Sequence, residues 1–448
     1  MVGNAPDLPD VHPPSVGIRT HGFRVLFATL FLALAALPAA AAHPRARLLI
    51  AILLSTNLAG VLYAARGSGH LRWIGATLFL LALAGWWREV LGLPSVMGSV
   101  GVCCAALFFG FAAAALWAPV FRSRRITEDT LVGTLCIFLL ACLSFASAYL
   151  LAWELAPAAF SFAGGASGSH TFADFVYFSF VTATTLGYGD VVPVGTLIRS
   201  LVILQTVAGV LYVSIAVARL VALHAAGGEA PPLVSSAPSG WQHSRNLLLL
   251  MVALILLLPL LPHLPASSAL ALIDSALLIA VIYALIGSHR LLRVTLLAAG
   301  FSVVAGWWGR GDPAGYAWIA SKAFGLVCYA IGLSIVSVMA LRQRAVTVDA
   351  IYGACSVYLL FGSAFANLFG LLAALAPGSL AVEGGPADVA ELLYFGFMTL
   401  TTTGYGDITP LTPATHVVAS LAATVGIFYP AVLVARLVSL YGTEQDSS

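Results

Sequence analysis

Charged residues are scarce in this sequence. Of its 448 residues only 8% are charged, 60% are hydrophobic, and the mean hydropathy is +1.00. Soluble domains carry about a quarter of their residues as charged side chains, so this composition excludes a soluble globular protein and is typical of a multi-pass protein in a lipid bilayer. The net charge of +2 provides no basic surface for a nucleic-acid partner.

Reactive and metal-binding groups are also scarce. The six cysteines lie in apolar segments without the spacing of a metal site, so we expect them to be small core residues. No pattern of nucleophile and base indicates an enzyme, and none indicates a metal or a cofactor. No Gly-x-Gly-x-x-Gly motif follows a predicted strand, which argues against a nucleotide-binding regulatory domain.

Apolar segments of helix length fill most of the chain and form two sets of six. The first set is 23–42, 48–65, 73–87, 96–118, 130–153 and 196–223, and the second is 246–264, 268–286, 291–308, 316–340, 350–375 and 415–441. The first segment also resembles a cleaved secretory signal, but its counterpart lies mid-chain, so we expect it to be retained. The pattern predicts an all-α membrane protein of twelve transmembrane helices in two parallel six-helix repeats.

Repeated motifs support the duplication. Ala84-Gly85-Trp86-Trp87 recurs as Ala305-Gly306-Trp307-Trp308, and Val217-Ala218-Arg219-Leu220-Val221 recurs as Val434-Ala435-Arg436-Leu437-Val438. A segment rich in Gly, Pro and Ser separates the repeats. The predicted division is a tail 1–22, a peripheral four-helix domain 23–127, a pore domain 128–224, a linker 225–243, a second peripheral domain 244–347, a second pore domain 348–441 and a tail 442–448.

Two nearly identical stretches lie 217 positions apart, before the last apolar segment of each half. They read Thr184-Thr185-Leu186-Gly187-Tyr188-Gly189-Asp190 and Thr401-Thr402-Thr403-Gly404-Tyr405-Gly406-Asp407. Glycine at alternate positions permits backbone angles that would turn successive carbonyls toward one axis. A single Gly-Tyr-Gly would be read as a turn, but two copies at matching places between apolar segments indicate a shared function.

The neighbouring side chains have expected supporting roles. Thr185 and Thr402 can add a hydroxyl group at the inner end of each stretch. We expect Tyr188 to wedge against Tyr177 and Phe178, and Tyr405 against Tyr394 and Phe395. Thr184 and Thr401 precede the stretches, while Asp190 and Asp407 follow them at an outer mouth, where they would brace the backbone or gather cations.

Thr-x-Gly-Tyr-Gly in this setting resembles the selectivity filter of potassium channels. The segments 130–223 and 350–441 resemble the pore module of the two-helix ion-channel family, and two filters per chain are similar in number to those of two-pore potassium channels. The resemblance implies a K⁺-selective channel with K⁺ as permeant ion, a re-entrant pore helix before each filter, and a homodimer that supplies four filter loops. Leu186 and Thr403 depart from the valine usual in the family.

Each predicted pore helix begins with a capping pattern. Thr171 with Asp174, and Asp388 with Glu391, have the spacing of helix caps, although such acids are also found as ordinary loop charges. In the last segment of each half, Gly209 and Gly426 are candidate gating hinges or, alternatively, sites of close helix packing. Pro430 occurs only in the second half and is expected to bend its helix.

Voltage sensing is expected to be weak. Segment 96–118 has no basic residue, and 316–340 has only Lys322, whereas a steep sensor needs many charges. Asp274 lies at a depth similar to that of Lys322, which predicts an intramembrane ion pair; the alternative is a snorkelling lysine and a water-facing acid.

Arginine distribution predicts the orientation. With the amino terminus inside, fourteen arginines are cytoplasmic and four are outside, which predicts cytoplasmic termini, filters at the outer face and a plasma (inner) membrane location. The alternatives to a K⁺ channel are a twelve-span cation uptake carrier, a non-selective cation channel and a non-conducting membrane sensor.

Overall fold

The computed structural model describes residues 22–42, 69–87, 96–121, 128–163, 170–225, 242–257, 289–309, 315–341, 348–382 and 387–443. Twelve α-helices lie in these ranges. They are α1 Gly22–Ala42, α2 Gly69–Trp86, α3 Val96–Phe121, α4 Glu128–Leu155, α5 Phe172–Ala183, α6 Thr196–Ala225, α7 Gln242–Leu257, α8 His289–Trp308, α9 Tyr316–Leu341, α10 Val348–Leu375, α11 Val389–Leu400 and α12 Pro413–Thr443. The protein is therefore an all-α membrane protein, as predicted.

Ten of the twelve predicted membrane segments coincide with these helices. Six helices contain spans long and apolar enough to cross a bilayer, namely Gly98–Trp117, Asp129–Leu155, Thr196–Val221, Tyr316–Val338, Ala350–Leu375 and Pro413–Ser439. The remaining two predicted segments, 48–65 and 268–286, lie outside the described residues, as do most of the predicted linker and both tails.

The two halves repeat one packing plan. In the first half α2 packs on α3, α3 on α4, and α4 on the short helix α5; in the second, α8 packs on α9, α9 on α10, and α10 on α11. The long helices α6 and α12, one from each half, pack against each other. In each half the peripheral helices, α2 and α3 or α8 and α9, therefore pack on the outer helix of the pore segment, which is α4 or α10. The two halves contact each other through α6 and α12.

The repeated Gly-Trp-Trp motif has a packing role. A β-carbon on Gly101 of α3 would lie 2.3 Å from the Cα of Gly85 in α2, so these two helices touch backbone to backbone. In the second half, a β-carbon on Gly306 would lie 2.8 Å from the hydroxyl of Ser321. There Ser302 and Ser321 exchange hydrogen bonds between their hydroxyls and carbonyls, at 2.7 and 2.8 Å. Small residues bring the peripheral helices together in both halves.

Two short antiparallel ribbons flank the short helices. Strand β1, Phe160–Phe162, pairs with β2, Val191–Pro193, and β3, Leu380–Ala381, pairs with β4, Thr409–Pro410. Each ribbon joins the segment after the outer helix to the segment after the Gly-Tyr-Gly loop. The loop is thereby tied down at its far end, a feature that the sequence patterns did not predict.

Candidate functional site

The short helices α5 and α11 start with capping boxes. The backbone N–H of Asp388 donates to Glu391 Oε2 at 2.9 Å, and the N–H of Glu391 donates to Asp388 Oδ1 at 2.7 Å. In the first half, the N–H and hydroxyl of Thr171 both donate to Asp174 Oδ2, at 2.6 and 3.1 Å. The predicted caps are confirmed. The carboxyl end of each helix, where the helix dipole is negative, leads directly into a Gly-Tyr-Gly loop.

The backbone of both loops alternates in handedness. φ is +56° at Thr185, +54° at Gly187 and +76° at Gly189. The second loop repeats these values at Thr402 (+58°), Gly404 (+56°) and Gly406 (+81°). In an ordinary strand successive carbonyls point to opposite sides, so reversing the sign of φ at every second residue turns them to one side. The predicted glycine alternation is confirmed, and it includes the two threonines, for which this region is uncommon.

Backbone hydrogen bonds fix where each loop leaves its helix. Leu186 N–H donates to the carbonyl of Val181 at 2.9 Å, and its counterpart Thr403 donates to Met398 at 2.9 Å. The hydroxyls of Thr184 and Thr401 donate to carbonyls one turn earlier in their helices, at 2.6 and 2.8 Å. Both loops therefore start in the same conformation, residue for residue.

The two loops lie side by side. A β-carbon on Gly187 would lie 1.7 Å from the carbonyl oxygen of Thr403, and one on Gly189 would lie 2.2 Å from that of Tyr405. On Gly404 and Gly406 a β-carbon would meet nothing within 4 Å. The first loop therefore faces the carbonyls of the second, while the corresponding side of the second loop is open within the single chain.

The expected position of Tyr405 is wrong. Its ring packs on Phe178 of the opposite half, with centroids 5.9 Å apart, and its hydroxyl contacts that of Thr182 on α5. The tyrosine therefore braces the neighbouring half instead of wedging against Tyr394 and Phe395 of its own. Sequence periodicity does not reveal which half lies beside which, so this contact had no local signal.

The first loop lacks the equivalent cover. Tyr188 is 67% exposed, against 6% for Tyr405, and Leu186 is 52% exposed, against 3% for Thr403. The expected wedge of Tyr188 against Tyr177 and Phe178 stays a prediction. One of the two loops is seated on the opposite half, and the other is not.

The aspartate after each loop interacts with the tyrosine of its own short helix, and in the second half it also lies near an arginine. Tyr177 donates its hydroxyl hydrogen to Asp190 at 2.9 Å, a contact that favours the bracing alternative. Asp407 interacts with the aligned Tyr394 and also lies 3.9 Å from the guanidinium of Arg199, which comes from the first half. Burial raises the pKa of Asp407 above its ordinary value, and Arg199 lowers that pKa only in part.

Arg199 is a bridge between halves that the sequence patterns missed. From the first turn of α6 it donates to Glu391 on α11 at 3.0 Å and lies over the ring of Tyr394, 5.1 Å from the centroid. Its Nε–H also donates to the carbonyl of Pro193, at 3.1 Å. Aligning the repeats would have flagged the position, because Arg199 is a charged residue at an apolar helix start and its counterpart is His416.

A buried polar cluster supports the first short helix alone. Tyr149 donates to Gln205 Oε1 at 2.7 Å, and the Gln205 amide donates to the hydroxyl and carbonyl of Ser179, at 2.6 and 3.0 Å. All three side chains are almost fully buried. The aligned residues in the second half are Phe369, Ala422 and Gly396, which carry no polar side-chain group. The first short helix is thus tied to its own half by a hydrogen-bonded cluster that the second half replaces with apolar residues.

The inner-helix glycines lie at close contacts. A β-carbon on Gly209 would lie 2.4 Å from the carbonyl oxygen of Ala183, and one on Gly426 would lie 1.6 Å from that of Leu400. Both contacts join the long helix to the end of the short helix, which favours the packing alternative for these glycines. Pro430 lies inside α12, which continues through it to Thr443. Proline lacks the N–H that would bond the carbonyl of Gly426, so the two residues share one weakened turn.

Lys322 is deeply buried in α9. Its ammonium lies 4.6 Å from the centroid of the Trp318 ring, and its side chain is 2% exposed. The expected partner Asp274 lies outside the described residues, so the ion pair stays a prediction.

Comparison with known proteins gives one consistent result. Residues 134–224 and 353–442 each match the ion channel family, and these segments contain both loops with their flanking helices. The chain therefore contains two segments that are similar to this family. The two-pore potassium channel c of Oryza sativa subsp. japonica is 41% identical over 64 residues, which is 14% of this chain and 14% of that relative. No solved structure matches the chain. The matches point to a channel and not to an enzyme.

Proposed function

We propose that this protein is a potassium-selective channel whose pore is lined by the two Gly-Tyr-Gly loops and completed by a second copy of the chain. The alternation of positive φ in both adjacent loops carries this proposal. A row of carbonyls facing one axis can replace the water around a dehydrated cation, which is how K⁺ filters work. In this proposal the K⁺-binding backbone is that of Thr185 to Gly189 and Thr402 to Gly406.

Two loops per chain make a dimer the smallest closed assembly with four loops. The uncovered face of the first loop and the open side of the second loop are complementary. Their repeat equivalents already contact each other within the chain, where Gly187 and Gly189 face the carbonyls of Thr403 and Tyr405. Buried residues make up 56% of the span of α6 but only 17% of that of α12. A two-fold axis would place each chain's first loop on the second half of its partner.

The remaining assignments complete the proposal. We propose that the termini and the linker are cytoplasmic, that both loops face outward in the plasma membrane, and that the chain is divided into the two peripheral and two pore domains described above. Segment 96–118 carries no basic residue and segment 316–340 carries only Lys322, so we expect weak voltage dependence. A non-selective cation channel is the second candidate, because Leu186 and Thr403 replace the usual valine.

Reconstitution tests the selectivity. Purified protein in liposomes with K⁺ on one side and Na⁺ on the other should give a reversal potential near that expected for K⁺, and Ba²⁺ should block the current. Gly187→Ala should abolish this selectivity, because its β-carbon would overlap the Thr403 carbonyl. The matched control is Gly378→Ala, which has a φ of +82°, an open surrounding and a place outside the loops. A wild-type reversal potential near zero would instead support the non-selective channel.

A further inference from the structure

The position of Arg199 has a counterpart in the second half that makes no equivalent contact with acids within the described chain. His416 occupies the aligned position in α12, and its Nε2 lies 3.0 Å from the carbonyl of Pro410. Arg199 makes the same contact with the aligned Pro193, at 3.1 Å. The two residues are thus held in the same place by the same backbone group, but Arg199 reaches two acids of the neighbouring half and His416 is exposed.

The acids that His416 would need are present on the first half. Asp174 and Asp190 align with Glu391 and Asp407, the two acids that Arg199 contacts. The ring of Tyr394 beneath Arg199 is fully buried, whereas its counterpart Tyr177 is 40% exposed. The first half therefore presents a partly exposed copy of the surface that Arg199 contacts in the second half.

We propose that His416 docks on Asp174 and Asp190 of a second copy of the chain and makes this contact between subunits dependent on protons. The inference rests on the proposed dimer, because it uses the internal contact between halves as the template for the contact between chains. The internal contact is permanently charged through arginine. The contact between chains carries a histidine, which gains or loses its charge between about pH 5 and 8.

The charges around the proposed contact determine its direction. His416 would face the partner's Asp174 and Asp190, the partner's Tyr177 and Tyr188 hydroxyls, and the partner's His170. Of these groups only the two acids are negative at neutral pH, so the protonated imidazole binds more tightly than the neutral one. Lowering the pH through the histidine range therefore stabilises the dimer.

Dilution of the purified protein in detergent tests the proposal by single-molecule mass measurement. A two-fold dimer contains the contact twice, and an exposed ion pair contributes modestly, so the dimer dissociation constant should be about tenfold lower at about pH 5.5 than at about pH 8. His416→Arg should hold the low-pH value at both conditions. His416→Gln should hold the high-pH value, and Asp190→Asn combined with Asp174→Asn should reduce the pH effect as much as His416→Gln does.

His170→Gln is the control for the other histidine near this surface. Its ring stacks on Phe162 with centroids 3.6 Å apart, and the variant should retain the full pH dependence. A dimer with the same dissociation constant at both pH values, or one whose pH dependence survives in His416→Gln, would overturn the proposal. A protein that is not dimeric at either pH would overturn the dimer itself, which separates that failure from failure of the histidine contact. If the reconstituted wild type showed no K⁺ selectivity, this would contradict the proposed function but not the histidine contact.

Discussion

The two halves of this chain share one backbone plan but differ in what holds their loops in place. The second loop is covered by the first half, with Tyr405 seated on Phe178 and Asp407 facing Arg199. The first loop is uncovered, and its short helix is fastened from below by Tyr149 and Gln205. The second half, whose loop is covered within the chain, is held by contacts with the first half. The first half, whose loop is exposed, has additional hydrogen bonds of its own.

This difference suggests how duplication changes an assembly. In a pore of four identical subunits all four contacts between neighbours must be the same. In a duplicated chain one kind of contact becomes internal and the other remains between chains, so the two can diverge. The replacement of arginine by histidine at the aligned positions 199 and 416 is one such divergence.

The largest effect is expected when one glycine is substituted in each loop and the two variants are compared. Gly187→Ala places a β-carbon against Thr403 within one chain, so we expect both lost selectivity and a less stable monomer. Gly404→Ala meets nothing in its own chain, so the monomer should lose only the cost of strained φ, about 1–2 kcal/mol, while dimerisation and selectivity are lost. Denaturation in mixed micelles, dimer mass and reversal potential measure the three quantities. A selective dimer of Gly404→Ala, equal to the Gly378→Ala control, would contradict the shared axis.

The polar cluster of the first half is expected to have the next largest effect. Gln205→Leu leaves the buried Tyr149 hydroxyl without its partner and leaves the Ser179 hydroxyl with only the Cys142 carbonyl, which should lower the free energy of unfolding by about 2 kcal/mol. Adding Tyr149→Phe should cost little more, because the orphaned hydroxyl is then removed.

Titration with a denaturing detergent measures this free energy of unfolding. Thr424→Val, an exposed hydroxyl on α12 bonded only within its own helix, is the control and should change stability little. Additive losses in the double variant would show that the three groups do not act as one network.

Breaking the internal bridge is expected to have an intermediate effect. Arg199→Gln leaves the partly buried acids Glu391 and Asp407 without their cation, so we expect a loss of about 1–2 kcal/mol in the free energy of unfolding. The same change at the aligned site, His416→Gln, should leave the unfolding of the isolated monomer unchanged, because that side chain is exposed there. Equal effects of both substitutions on the monomer would remove the distinction between the two contacts.

The smallest effect concerns the charge of Asp407. Burial raises its folded pKa above its value in the unfolded chain, so the ionised carboxylate costs stability at neutral pH, and this cost disappears as the pH falls through the folded pKa. Asp407→Asn should therefore match or exceed the stability of the wild type at about pH 7, by about 1 kcal/mol or less, and converge with it at acid pH. Thermal denaturation of both proteins across that range checks the sign, which a less stable variant at neutral pH would contradict.

Local features of the site could be predicted from the sequence, and contacts between halves could not. The glycine spacing predicted the alternating backbone, and the spacing of Asp388 and Glu391 predicted a capping box, because both depend on residues within one turn or loop. The seat of Tyr405 and the reach of Arg199 depend on which half lies beside which, and hydrophobic periodicity carries no such information. The β-ribbons were missed for a different reason: β3 and β4 have only two residues each, which is too short for an alternating pattern to be recognised.

The most direct test of the account is the mass of the conducting species. The protein should be isolated in lipid nanodiscs, its intact mass measured, and the same preparation assayed for K⁺ current. The account predicts a K⁺-selective particle that contains two copies of the 46.5 kDa chain. A selective monomer, or a stable assembly of four chains around one pore, would contradict it.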